Sequence, residues 1–349
     1  MYRTEFDLPE PPDVEPVGRR PWWMWPAIGL AIVLLAISTF YIPLPMFYQY
    51  LPGPVRDVEE LVIVSDATTY SSEGHLFLTT VSVDTEVTVA EFIGASFSDD
   101  RAIVRKEDVT GGAPLDELRR QQRAEMQSSK QHATEVVLSL LGIARPSGDG
   151  ARVVDTISGL PASEALQQGD VIVDIDGEKV ETTCDVQRTI DGADIGEEIA
   201  VTVQRGGDER SFQIETVRSP DDSTTAFIGV AMEDVDYRFD PGLEVEFKTG
   251  EIAGPSAGLM MSLALYDQLT PDDLTEGLSI AGTGTIECGG RVGAIGGIEQ
   301  KVAGAEAEGA QIFFAPRANA AAAEEVADEI EVVAVSSFAD ALEYLEGLQ

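Results

Sequence analysis

Two short stretches hold the residue types from which a nucleophile and its base can be made. "GEIAGPSAGLMM", residues 250–261, sets Ser256 between Pro255 and Ala257, inside three glycines and directly before an apolar run. "AIGGIEQKVAGA", residues 294–305, sets Lys301 among small and apolar residues on what reads as an early helical turn. A serine hydroxyl is a weak nucleophile until a base takes its proton. Lysine has a reference pKa of about 10.4 and becomes a base only where burial disfavours its ammonium form. A serine at a helix start also meets free amides and the positive end of the helix dipole, both of which favour an oxyanion. The backbone N–H groups of Ser256 and its neighbour Ala257 are therefore the expected oxyanion donors.

Plainer readings compete with this one. Ser is a favoured N-cap, and "LMMSLALYDQL" after it has the length and apolar content of a core helix. Taken singly, Lys301 reads as a solvated helix lysine. The chain has only two histidines, His75 and His132, and neither lies near a glycine-rich serine in sequence. A histidine-based hydrolase using His132 stays open as a rival, since most serine hydrolases use a histidine base.

The elements around these residues fall into blocks. "ELVIVS" and "GHLFLTTVSV" read as strands from residue 60 onward, followed by a helical segment at about 114–138. A small β-rich unit, "ARVVDTI", "GDVIVDIDG", "EIAVTVQRGG" and "RSFQIETV", runs to about 217, and "SPDDSTT" at 219–225 reads as a polar linker. The remainder alternates strand-like runs ("LEVEF", "LSIAGTGTI", "AQIFFAP", "EVVAV") with helical ones at 256–268, 299–309, 318–328 and 337–347. That is an α/β or α+β pattern with its own core.

Bulk composition removes some function classes. The 349 residues carry 62 acidic and 23 basic side chains, a net charge of −39, so phosphate binding by a basic face is not expected and nucleic acid is excluded as a partner. No "GxxxxGK[ST]" occurs, and "GTGTIECGG" lacks dinucleotide-binding spacing, so neither ATP nor a dinucleotide cofactor is expected. Cys184 and Cys288 lie far apart, in what read as separate domains, and are expected as two buried small residues without metal-ligand spacing.

Near the start, "WWMWPAIGLAIVLLAISTFYI", Trp22 to Ile42, holds no charge. Its 21 residues suffice to span a bilayer of about 30 Å. Tryptophans mark one end, Phe40 and Tyr41 the other, and Arg19 and Arg20 precede it. This predicts an uncleaved transmembrane helix over 22–44. A cytoplasmic tail at 1–21 would precede it, and everything after about 45 would face outward.

The middle unit resembles a PDZ domain of the kind found in bacterial envelope proteases, on "LLGI" at 140–143, "SGLPASEALQQGDVIVDIDGEKV" at 158–180 and "GEEIAVTVQRGG" at 196–207. The resemblance assigns 138–217 to the PDZ domain and a carboxylate-binding loop to Leu141, Gly142 and Ile143, with protein or peptide ends as partners. "GPSAG" together with "SIAGTGTIECGGRVGAIGGIEQKVAGAEAEGAQIFFAP", 279–316, resembles the proteolytic domain of Lon proteases. That resemblance implies a Ser256–Lys301 dyad, supported by a hydrogen bond from Thr283. "EMQSSKQHATEVVLSLLGI" and "GHLFLTTVSV" resemble earlier parts of the same domain. The implied architecture is an α+β Lon-type fold (ribosomal protein S5 domain 2-like) from 58–137 and 219–349, with the PDZ domain inserted. Behind one membrane anchor, this is the layout of the YlbL-type Lon-like proteases of bacteria. It implies a cell-membrane serine endopeptidase working without ATP, cofactor or metal, and leaves room for a homo-oligomer. Ala253 and Thr285 depart from the family's usual Asp and Glu, which bears on substrate fit. The rival class is a PDZ adaptor on a non-catalytic scaffold.

Overall fold

A computed structural model describes residues 23–98, 100–220, 225–250 and 252–348. The expected cytoplasmic tail and the centre of the 219–225 linker lie outside these residues. Helix α1, Met24–Phe40, takes up only 17 residues of the expected 22–44 membrane span. Among the described residues no helix is long and apolar enough to cross a membrane. The helix stops at Tyr41, just ahead of Pro43, which cannot extend it. No residue of α1 is buried.

The unit that carries Ser256 and Lys301 is built on a five-stranded sheet in the order Arg56–Asp57, His75–Leu78, Ser279–Gly282, Ile312–Pro316, Glu331–Val335, parallel except for the first pair. A parallel sheet must be covered on both faces, and "IFFAP" is buried at every position, as a central strand should be. Its alternation divides the core. Phe314 joins one cluster with Leu76, Leu78, Leu259, Met260 and Leu263, whereas Phe313 joins another with Ile298, Val302 and Ala305.

Three helices cover the first face: α2 (Leu115–Leu140), α4 (Gly258–Leu269) and α6 (Phe338–Glu346). On the second face lies α5 (Ile298–Glu308). Helix α4 is apolar almost all round because it is wedged between sheet and α2. Val58, Leu76 and Met126 share this core with Leu259 and Phe314, so segments on both sides of the middle unit fold together.

The middle unit has a separate core, with Val153, Ile172, Ile175, Val186, Val201 and Ile214 at its centre. Its sheet runs in the order Asp208–Glu215, Glu198–Arg205, Val171–Ile175, Ala151–Thr156, Val230–Asp234, and helix α3 (Thr183–Gly192) packs against it. The edge strand Val230–Asp234 lies beyond the expected end of the unit at 217. Ala226, Ile228 and the strand belong to its core because they complete the sheet next to Ala151–Thr156. Chain enters and leaves through a narrow neck, where Ser147 and Arg238 exchange backbone hydrogen bonds of 2.9 and 2.8 Å.

The cysteine expectation is corrected. Cys184, in the first turn of α3, and Cys288, beyond Ile286 in the other unit, form a disulfide with Cα atoms 4.9 Å apart across 104 residues of sequence. Sequence distance concealed the pair, because only the packing of α3 on the turn Cys288–Gly290 brings the two together.

Candidate active site

The turn Pro255–Ala257 precedes α4, and Ala257, not Ser256, is the helix's N-cap, with no side-chain cap hydrogen bond. The simple capping role for Ser256 is thereby removed, and its hydroxyl is left for other work. Gly254 reaches this turn at φ +94°, a conformation open to glycine at little cost. Helix α2 pins the loop: Ser129 Oγ donates to the Pro255 carbonyl at 3.0 Å, and the Gly254 amide donates to the Gln122 carbonyl at 3.3 Å. From the other side the Gly284 amide donates to the Ser256 carbonyl at 2.8 Å.

Lys301 sits in the first turns of α5, which starts after Gly297 at φ +69°. Lys301 is only 3% exposed. Lys301 Nζ lies 2.8 Å from Ser256 Oγ and 2.7 Å from Thr283 Oγ1. The Thr283 hydroxyl donates to the Ser256 carbonyl at 3.0 Å. Burial pushes the Lys301 ammonium down to about 7, desolvation being the cause. An amine in this state is neutral in a large fraction of molecules near neutral pH. Its lone pair can then accept the serine proton.

The pair opens into a cleft of about 1000 Å³, walled by Tyr50, Val81, Ile252, Ala253, Thr285 and Ile295. Ala253 and Thr285, the two departures noted in the sequence, therefore both line the cleft. Thr285 Oγ1 donates to Glu287 Oε1 at 3.4 Å, which sets a carboxylate beside the cleft wall. Arg291 holds that carboxylate from its other side. The amides of Ser256 and Ala257 lie in the turn that faces the cleft.

His132 does not enter the site. Its Nδ1 is 3.2 Å from the Ile286 carbonyl, on α2. His75 pairs with Asp57, itself a residue of the cleft wall, at 2.8 Å, and neither makes a hydrogen bond to Ser256 or Lys301.

The expected carboxylate loop is corrected too. Leu141 is the C-cap of α2, and Gly142 at φ +68° donates to the Ser139 carbonyl at 3.2 Å. Ile143 donates to Leu138 at 2.9 Å. Both amides are spent in a Schellman cap and are not free for a carboxylate. A second apolar–Gly–apolar stretch, Ile228–Gly229–Val230, with Gly229 at φ +81°, leads instead into the edge strand beside α3. Its signal was present in "FIGVAMEDV", where glycine between apolar residues precedes an alternating run. Sequence reading also missed Ser129, Gln122 and the Gly284 amide, since hydrogen bonds to backbone carbonyls leave no side-chain spacing to read.

Comparisons with known proteins find two domains in this order along the chain. The model of the PDZ domain family matches residues 92–216, and that of the Lon protease (S16) C-terminal proteolytic domain matches 244–345. The Lon protease of Mesomycoplasma hyopneumoniae (strain 232) is 33% identical over 96 residues, covering 26% of this chain. The chain spans 11% of that relative's length. Among solved structures, the PDZ domain of an SdrC-like protein from Listeria monocytogenes aligns at 24% identity over 24% of this chain and 87% of its own, with a TM-score of 0.23. A solution structure from Geobacillus thermodenitrificans aligns at 23% identity over 24% and 95%, with a TM-score of 0.22. The chain thus carries a PDZ domain joined to the proteolytic domain of the S16 Lon family, a serine-type peptidase domain.

Proposed function

We propose that this protein is a membrane-anchored serine endopeptidase that works without ATP, using Ser256 as nucleophile and Lys301 as general base. The observation that carries the reading is the 2.8 Å approach of a desolvated amine to the Ser256 hydroxyl. In the cycle, neutral Lys301 takes the Ser256 proton as Oγ attacks the substrate carbonyl. The backbone N–H groups of Ser256 and Ala257 receive the oxyanion, and the Lys301 ammonium returns its proton to the leaving amine. Water, deprotonated by the same amine, then releases the acyl group. The PDZ domain recruits an extended chain end, which adds to the Val230–Asp234 edge with its carboxylate at the Ile228–Val230 amides.

The disulfide supports an outward-facing position, because such bridges persist in oxidising compartments. Support for the anchor comes from α1, where Leu30, Ile32, Leu34 and Leu35 are all exposed among the described residues. Substrates on this reading are envelope or secreted proteins already unfolded or flexible. Ser256→Ala tests the assignment: the full chain in lipid should fold, keep its PDZ ligands and lose turnover of an unstructured protein. Retained turnover would overturn it, and a phenotype that survives the substitution in cells would favour the adaptor.

A further inference from the structure

The dyad is linked through one hairpin to the PDZ domain. Thr283 and Gly284, which touch Lys301 and Ser256, lead directly into the strand Thr285–Ile286. Its partner Val292–Gly293 leads through Ala294–Gly296, a wall of the cleft, into α5 and Lys301. Each strand is two residues long, and the turn between them carries Gly289 at φ +69° and Gly290 at φ +86°. A hairpin this short has little stability of its own.

Its tip is fastened to helix α3 twice. Cys288 is bonded to Cys184, and Arg291 Nε lies 3.3 Å from Asp191 Oδ2. Arg291 also holds Glu287 within the hairpin. On the opposite side the fastening is to backbone: His132 to the Ile286 carbonyl, and the Val292 amide to the Ser336 carbonyl at 2.8 Å.

We propose that the PDZ domain is a covalent brace of the catalytic cleft: the Cys184–Cys288 bridge and the Arg291–Asp191 pair hold the 285–293 hairpin, and through it the Ser256–Lys301 pair, in register. Cys184, Cys288 and Arg291 are positioning residues, since none touches substrate. The PDZ domain on this view sets turnover as well as recruitment, and does so for substrates too short to reach its groove. The inference rests on the peptidase reading for its kinetic consequence but not for its structural one.

The test uses the full chain in lipid and a short fluorogenic peptide without a free carboxylate. Tris(2-carboxyethyl)phosphine cleaves the bridge, which takes up two electrons and two protons while the phosphine becomes its oxide. Reduction should lower kcat about tenfold with KM nearly unchanged, as small misplacements of reacting groups do. Cys184→Ala/Cys288→Ala should show the same lowered kcat and no further response to the phosphine. Arg291→Ala should lower kcat, and Arg291→Lys should restore part of it. Hydrogen exchange of amides 283–296 should quicken on reduction while the sheet strands stay protected. Unchanged kcat and unchanged exchange would overturn the brace. Faster exchange in a protein inactive before and after reduction would keep the brace and defeat the peptidase reading.

Discussion

The Thr283 hydroxyl faces Lys301 as an acceptor only, because its proton is committed to the Ser256 carbonyl. One N–H of the amine is thereby held on Thr283 Oγ1, and a second Nζ position, an N–H in the ammonium and available to the lone pair in the neutral amine, faces Ser256 Oγ. Thr283→Val removes that constraint without changing shape much. Turnover should fall about 10- to 100-fold with peptide KM little changed, and Thr283→Ser should recover most of it in steady-state kinetics.

The Lys301 amine must be neutral to act, and its folded-state value of about 7 lies well below that of a free lysine. Peptide turnover and labelling by a fluorophosphonate should both rise through about pH 7 and level off above it. For stability the sign follows from proton counts. Between the folded value and about 10.4 the unfolded chain binds more protons, so stability climbs with pH across that window. Below it both states are protonated and the buried charge is fully unfavourable. Lys301→Met should therefore be inactive yet more stable at pH 6, by on the order of 2 kcal/mol, in chemical denaturation.

Gly258, the first residue of α4, allows a close approach of that helix to Ser129 and Ile286. An added Cβ would lie 2.5 Å from Ser129 Oγ and 2.7 Å from the Ile286 amide nitrogen. The serine can rotate away, but the backbone cannot. Gly258→Ala should cost about 1–3 kcal/mol and shift the adjacent Ser256 loop, so that kcat falls along with the melting temperature.

Replacing His132 by Ala deletes one hydrogen bond to the Ile286 carbonyl and leaves the serine's partner in place. Its effect on turnover should be small beside that of Lys301→Ala. The reverse order in parallel assays would return the catalytic role to histidine.

Removing residues 1–42 should release the protein from lipid vesicles in a flotation assay while leaving the peptide turnover of the remainder intact. Co-flotation of the truncated chain would place membrane binding elsewhere than α1.

Ser256 and Lys301 could be read in the sequence because each lies inside a glycine-rich stretch whose backbone has to close around it. The strand "IFFAP" was equally visible as an apolar run, although its parallel pairing was not. Leu141–Ile143 misled for a physical reason. A glycine flanked by apolar residues serves a carboxylate loop and a helix C-cap alike, and only the hydrogen bonds of the Gly142 and Ile143 amides separate the two. The last PDZ strand hid because its partner Ala151–Thr156 is some 75 residues earlier, given the pairing of Val230 with Thr156. Cys184 and Cys288 were hidden in the same way, by contacts that only tertiary packing makes.

The neck at Ser147 and Arg238 sets two distant chain positions side by side, so the whole intervening stretch leaves and rejoins its host almost at a single point. Such a junction suits exchange of a recognition cassette: a foreign peptide-binding module with neighbouring termini could be spliced in there with the host sheet untouched. A newcomer would still have to supply a cysteine matched to Cys288.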